Sequence, residues 1–269
     1  MVNKKYELLD KSLDAITKDV FNLLVCSGDY GMGKSHRIKK YVDDKKIDYA
    51  YIQSYATPLK FYQLLYENRD KELIIFDDVN SIDNSIIVGL LKSACWEVLK
   101  GGRKVEYHTT SKIMEEKALP ESFELNANIV LIFNDKYEGY GPIINRGVCL
   151  DFDFSFEDKM VIFDDLMASG ETSELDSEIV EYVRKSCSKA TKNLSIRSLV
   201  ILSRLKKVEE VKGDWKMFAE EVFKLDFKKD MLEKIIKKHT KLKDACEEWC
   251  GETGLGERTF YSRYREMKE

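Results

Sequence analysis

The chain has 269 residues with 44 Lys/Arg against 48 Asp/Glu, a net charge of −4, so it is not a polycation and any nucleic-acid surface has to be local. A 43% hydrophobic, 34% charged composition with 3 prolines suits a soluble, helix-rich globular protein of one large or two modest domains. No apolar run approaches the ~20 residues of a membrane helix, and Met1-Val2-Asn3-Lys4-Lys5-Tyr6-Glu7 turns charged without an apolar signal core, which predicts no membrane association and a cytoplasmic location. The cysteines at 26, 95, 149, 187, 246 and 250 and the histidines at 36, 108 and 239 are dispersed. Cys246 and Cys250, four apart on a helical stretch, lack a second ligand pair for zinc.

In chain order, an apolar run at 20–26 predicts a first strand. It leads into Gly28-Asp29-Tyr30-Gly31-Met32-Gly33-Lys34-Ser35, a complete GxxxxGK[ST] pattern, and then into a helical stretch from His36 to position 42. Glycines at 28, 31 and 33 permit positive φ, so successive N–H groups can turn toward a phosphate, and the helix that follows aims its positive end at the same anion. Lys34 is expected to reach the β- and γ-phosphates and Ser35 to ligate Mg²⁺, with residues from Gly28 through His36 forming the nucleotide cradle. Tyr30 and Met32 read as packing within the loop.

A second strand is predicted at 49–53, and Thr57-Pro58 reads as a helix N-cap with proline at the first helical position. Leu73-Ile74-Ile75-Phe76 suits a strand buried on both faces, and Asp77-Asp78 ends it. Next to a phosphate loop, Asp77 is a candidate Mg²⁺ ligand and Asp78 a candidate for polarising the attacking water; the plain alternative is a solvated turn. Positions 85–100 carry an apolar stripe at helical spacing, ended by Gly101-Gly102, and 103–108 reads as a short strand or hairpin arm. Tyr107, His108 and Lys112 lie on that hairpin and the loop after it. A strand at 129–133 ends in Asn134, which suits either a contact to the γ-phosphate and its water or an ordinary β-turn. Asn145-Arg146-Gly147 precedes a last strand at 148–152; Arg146 can point into a neighbouring subunit's site or serve as a surface ion-pair partner. This alternation predicts a doubly wound parallel α/β sheet of the P-loop NTPase class over residues 1–156.

Beyond it, strand signals stop. Helical patterns at 157–167, 173–188, 194–208 and 215–223, with breaks at Ser169-Gly170 and Gly213, predict an all-α block over 157–225 that carries Arg197 at the start of a helix. Residues 226–269 read as a helix-turn-helix: helical patterns at 242–251 and 257–268 flank Thr253-Gly254-Leu255-Gly256, with Trp249, Leu255 and Phe260 as the seam. Cys250, small and four residues before Gly254, suits close helix–helix approach. The second helix exposes Arg258, Thr259, Ser262, Arg263 and Arg265 as candidate DNA contacts. Lysines 234, 237, 238, 241 and 243 form a candidate basic stripe, although 228–269 holds 11 Lys/Arg against 9 Asp/Glu. A helical hairpin that grips a protein is the competing reading.

The series resembles the AAA+ ATPase family over about residues 15–210. The resemblance implies a Walker A motif at 28–35, a Walker B motif at 73–78, a sensor asparagine at 134, an arginine finger at 146, and a sensor arginine at 197 in a helical lid. Within the family, the segment 55–91 with Asp77-Asp78-Val79, and Leu119-Pro120-Glu121-Ser122-Phe123, look like small phage or mobile-element members of the replication-initiator and helicase-loader type. Two departures stand out. Asp78 is one methylene shorter than the family's usual glutamate, and Asn145-Arg146 replaces the Ser-Arg of clamp loaders.

The implied activity is Mg²⁺-dependent ATP hydrolysis by an oligomer acting on DNA, in replication initiation, helicase loading or protein–DNA remodelling, with a replicative helicase or another DNA-bound protein as partner. Three rivals remain: an ATP-switched DNA-binding regulator with negligible turnover, a transposition or defence ATPase whose last helices bind a protein, and a P-loop small-molecule kinase, for which the sequence supplies no acceptor pocket.

Overall fold

The computed structural model describes residues 2–53, 56–78, 84–96, 102–109, 112–134, 143, 145–170, 174–189, 191, 193–210, 212–223, 227–254 and 256–267. The chain divides into two compact units, Met1–Phe154 and Ser155–Glu269.

The first unit runs α1 (Val2–Ile16), β1 (Leu23–Ser27), α2 (Lys34–Lys45), β2 (Tyr49–Gln53), α3 (Pro58–Glu67), β3 (Leu73–Asp77), α4 (Ser85–Ala94), β4 (Arg103–Glu106), α5 (Lys112–Glu116), β5 (Ser122–Leu125), β6 (Asn128–Ile132) and β7 (Val148–Asp151). Five strands form one parallel sheet in the order β2-β3-β6-β1-β7, and β4 pairs with β5 in an antiparallel hairpin. Every residue of β3 and β6 is buried, as strands covered on both faces require. Neither neighbour of β1 is its sequence neighbour, so the loop after β1 opens into a crevice at the sheet's carboxyl edge.

Local signals explain most boundaries. Thr57 caps α3 by accepting from the Lys60 N–H, with Pro58 at the first helical position. The expected first strand starts at Leu23 instead of position 20; Val20 is 71% exposed and follows a left-handed turn at Asp19. The helix expected through 100 ends at Ala94, and positions 97–101 lie outside the described residues, as do Tyr55 and Val79.

Helix α1 had no counterpart among the expected elements. Leu9, Leu13 and Ile16, spaced i, i+4, i+7, are fully buried and seat it against α2, β1 and β7. Arg37 of α2 forks onto Asp10, and the Tyr41 hydroxyl donates to Asp14. At the amino ends of the strands, buried Arg103 donates to the carbonyls of Leu125, Asn126 and Ala127 and to Asn128 Oδ1. Asn128 in turn donates to Ile16 O and Asp19. Burial lowers the Arg103 pKa, and the carbonyl fan replaces the water lost. Tyr107, half-buried, packs its ring on Tyr62 at 5.3 Å against the core.

The second unit is helical: α6 (Phe156–Ser169), α7 (Ser177–Ser186), α8 (Ile196–Lys206), α9 (Trp215–Phe223), α10 (Phe227–Lys238), α11 (Leu242–Thr253) and α12 (Glu257–Glu266). Ser155 with Asp158, and Ser195 with Ser198, close capping boxes on α6 and α8. The last three helices share a core of Leu232, Ile235, Ala245, Cys246, Trp249 and Phe260. Gly254 takes the left-handed cap that ends α11, while Leu255 lies outside the described residues. In the expected lysine stripe, Lys237, Lys238 and Lys243 pair with Glu233, Glu248 and Glu247, and Lys234 donates to Lys185 O. Among the described residues no helix is long and apolar enough to cross a membrane, and no group of three or more His, Cys, Asp or Glu is placed to hold a metal ion.

Two glycines should respond oppositely to alanine. A methyl on Gly147 would lie 2.1 Å from Leu23 O, backbone that cannot yield without moving β1. Gly147→Ala should therefore cost about 1–3 kcal/mol. Gly89, inside α4, has nothing within 4 Å of such a methyl, and Gly89→Ala should add roughly 0.5–1 kcal/mol. Urea denaturation followed by circular dichroism checks both signs.

Candidate nucleotide-binding site

The loop between β1 and α2 is built from backbone. Gly28, Gly31 and Gly33 have φ of 114°, 68° and 85°, which L side chains rarely adopt. Gly33 is the N-cap of α2 and offers no side-chain acceptor, so the first-turn N–H groups are left for an anion. Three anchors fix the loop from outside. Gly28 lies so close to the strand-end backbone that a Cβ there would be 2.6 Å from the Phe152 carbonyl carbon. The Phe154 N–H donates to Asp29 Oδ2 at 3.2 Å. The Tyr6 hydroxyl donates to Met32 O at 2.6 Å, with its ring stacked on Phe154 and Arg37 above it. Met32 is fully buried, whereas Tyr30 is 47% exposed.

Lys34 is buried, and its Nζ donates to Gly28 O and Asp29 O, each at 2.7 Å. Burial lowers its pKa, opposed by Cys26 and by the carboxylates of Asp29, Asp77 and Asp153. Ser35 follows on the first turn of α2. Asp77 ends β3 and is buried; its Oδ2 accepts from the Tyr51 hydroxyl and from Gln53 Nε2 at 3.2 Å, both on β2. Asp78 is exposed, sits in the left-handed region at φ 55°, and donates its N–H to Ile132 O. Asn134 lies two residues past β6, whose end is tied to β1 by the Phe133 N–H to Cys26 O bond.

The sheet order thus brings Gly28 to His36, Asp77, Asp78 and Asn134 to one edge, on the adjacent ends of β1, β6 and β3. The groups fit a polyphosphate with its cation: backbone N–H groups of a positive-φ loop and a helix start, an ammonium, and a hydroxyl with a buried carboxylate for a divalent ion. Arg146 lies elsewhere. It precedes β7 beside the start of β1, a strand length of roughly 15 Å from the loop in the same chain. Its guanidinium sits 5.2 Å from the centre of the Trp96 ring. Lys92, Trp96, Lys104 and Arg146 line a cavity of about 560 Å³ there. Arg197 is exposed on the first turn of α8, in the second unit. On α12, Arg258, Ser262 and Arg265 are exposed and Thr259 and Arg263 half-buried.

Sequence reasoning missed Tyr6, Tyr51 and Gln53. Tyr51 and Gln53 alternate on β2, which marks a shared face, but only the register with β3 identifies Asp77 as their target.

No protein-family model matches the chain. An uncharacterized 36.7 kDa protein of the nrdC-mobD intergenic region of Enterobacteria phage T4 is 27% identical over 187 residues, covering 62% of this chain and 56% of that protein. The chain therefore spans little more than half the length of that curated relative. Among solved structures, the RuvB Holliday junction branch migration motor of Thermotoga maritima superposes with a TM-score of 0.52 at 14% identity, over 96% of this chain and 82% of RuvB. A DNA replication initiation factor aligns at a TM-score of 0.40 and 14% identity, over 87% of this chain and 68% of its own. The fold is similar to that of RuvB: a parallel five-stranded sheet with flanking helices, followed by a helical C-terminal region.

Proposed function

We propose that this chain binds ATP with Mg²⁺ at the loop from Gly28 to His36, hydrolyses it as part of an oligomer, and acts on DNA. The observation that carries this reading is the convergence of the glycine loop, Lys34, Asp77, Asp78 and Asn134 on one sheet edge. In this reading Lys34 and the loop N–H groups hold the phosphates and Ser35 and Asp77 hold the metal. Asp78 and Asn134 orient the attacking water. Arg146, a strand length away from its own loop, serves a neighbouring subunit's nucleotide. Arg197 acts from a lid formed by residues 157–225. Its place supports a role other than stability, because a cation in the first turn of a helix opposes the dipole.

Residues 226–269 form the DNA-binding part, with Arg258, Thr259, Ser262, Arg263 and Arg265 facing the duplex. The three-helix core and the left-handed Gly254 between α11 and α12 support this assignment. The work is replication initiation, helicase loading or remodelling of a protein–DNA assembly, with a DNA-bound protein as partner.

A second reading, a switch that binds ATP and scarcely turns it over, draws on Asp78. Its carboxylate is short, and its left-handed backbone sets the side chain's direction.

Steady-state ATP hydrolysis without DNA, with single strands and with duplex decides between them. Asp78→Asn keeps a residue type at ease in the left-handed region, and should lower turnover at least ~10²-fold with ATP still bound. Lys34→Ala should remove turnover, and wild-type turnover in that variant would sink the site. Arg146→Ala should lose about 10³-fold or more and regain activity on mixing with Lys34→Ala, since each supplies what the other lacks. Full-length Arg263→Ala should bind duplex more weakly, with its salt slope reduced by about one. A wild-type chain with no salt-sensitive duplex affinity would instead favour a protein-gripping end.

A further inference from the structure

We propose that Tyr51 is a positioning residue for the metal at the phosphate site, orienting the Asp77 carboxylate and the Ser35 hydroxyl through its own hydroxyl. The inference rests on the nucleotide reading above. Its basis is geometric. In the parallel register Gln53 lies opposite Asp77 and Tyr51 opposite Ile75, so Tyr51, Gln53 and Asp77 share one face of the sheet. Tyr51 and Gln53 both donate to Asp77 Oδ2, so neither bond draws on the other oxygen. The Ser35 hydroxyl lies against the same phenol, and Lys39, one turn further along α2, holds its Nζ 5.6 Å from the ring centre. One side chain therefore hydrogen-bonds one of the two groups expected to hold the ion and neighbours the other.

A merely structural role is the alternative, since a buried carboxylate needs donors whatever its function. The two separate in how nucleotide binding depends on metal. ATP binding by the full chain is measured by titration calorimetry in EDTA and at stepped free Mg²⁺, for wild type and Tyr51→Phe. The Mg²⁺ concentration for half-maximal enhancement should rise about 10- to 100-fold in the variant, while affinity in EDTA stays within about twofold, because an outer partner of a ligand has been lost and the phosphate cradle has not.

An unchanged Mg²⁺ dependence, or equal loss of affinity with and without metal, overturns the assignment and leaves the nucleotide reading intact. A wild-type chain that binds no ATP overturns both. Should Tyr51→Phe fail to fold, as a melting curve would reveal, Gln53→Met carries the test at the same oxygen. A smaller shift in the same direction supports the proposal, and no shift overturns it.

Discussion

The contact between Gly28 and the backbone of Phe152 and Asp153 is the constraint on which the site depends. A phosphate loop is useful only if its N–H groups are already aimed, because ordering them at each binding event would cost conformational entropy. Here the first loop residue is wedged against the strand-end segment after β7. The second is held by the Phe154 N–H, and the Met32 carbonyl is drawn outward by Tyr6. Each anchor comes from a chain segment far from the loop in sequence. The loop's shape is thus a property of the assembled sheet and of α1, not of the eight-residue motif.

The sheet order then decides which side chains meet. With β6 between β1 and β3, the polar residues that end three buried strands fall on adjacent positions of one edge. The same order puts Arg146 at the other edge, stacked on Trp96 among Lys92 and Lys104. A residue there is remote from its own loop and well placed for whatever adjoins the sheet's opposite edge. Buried Arg103 braces that edge by spreading its guanidinium over three carbonyls and an amide oxygen, which closes the start of β6 onto the end of α1.

Much of this was legible from residue pattern. Leu73-Ile74-Ile75-Phe76 has no polar face, and the structure buries it on both sides; Thr57-Pro58 caps a helix as such a pair should. The glycine spacing from 28 to 33 matches three positive φ angles. What stayed hidden depends on tertiary partners. The lysines at the start of α1 obscured a regular Leu9, Leu13, Ile16 stripe whose partners lie on β1 and β7. Tyr51 reads as an ordinary strand tyrosine until the register sets it beside Asp77. Lys238 reads as part of a basic stripe because its partner Glu248 sits on the next helix, whereas the Lys237–Glu233 and Lys243–Glu247 pairs, four residues apart on one helix, were open to sequence reading.

The pairing of β1 has a consequence for synthesis. Leu23 of this central strand pairs with Ile129, and Leu24 with Val148, both more than a hundred residues later. Made from the amino end at roughly 5–20 residues per second, the chain carries Leu-Leu-Val-Cys without sheet partners on either side for several seconds. Until β6 and β7 leave the ribosome the phosphate loop has no wall to lean on, and a nascent chain cut before them would expose an aggregation-prone apolar strand. The order that builds the site well in the finished protein makes it one of the last things to form.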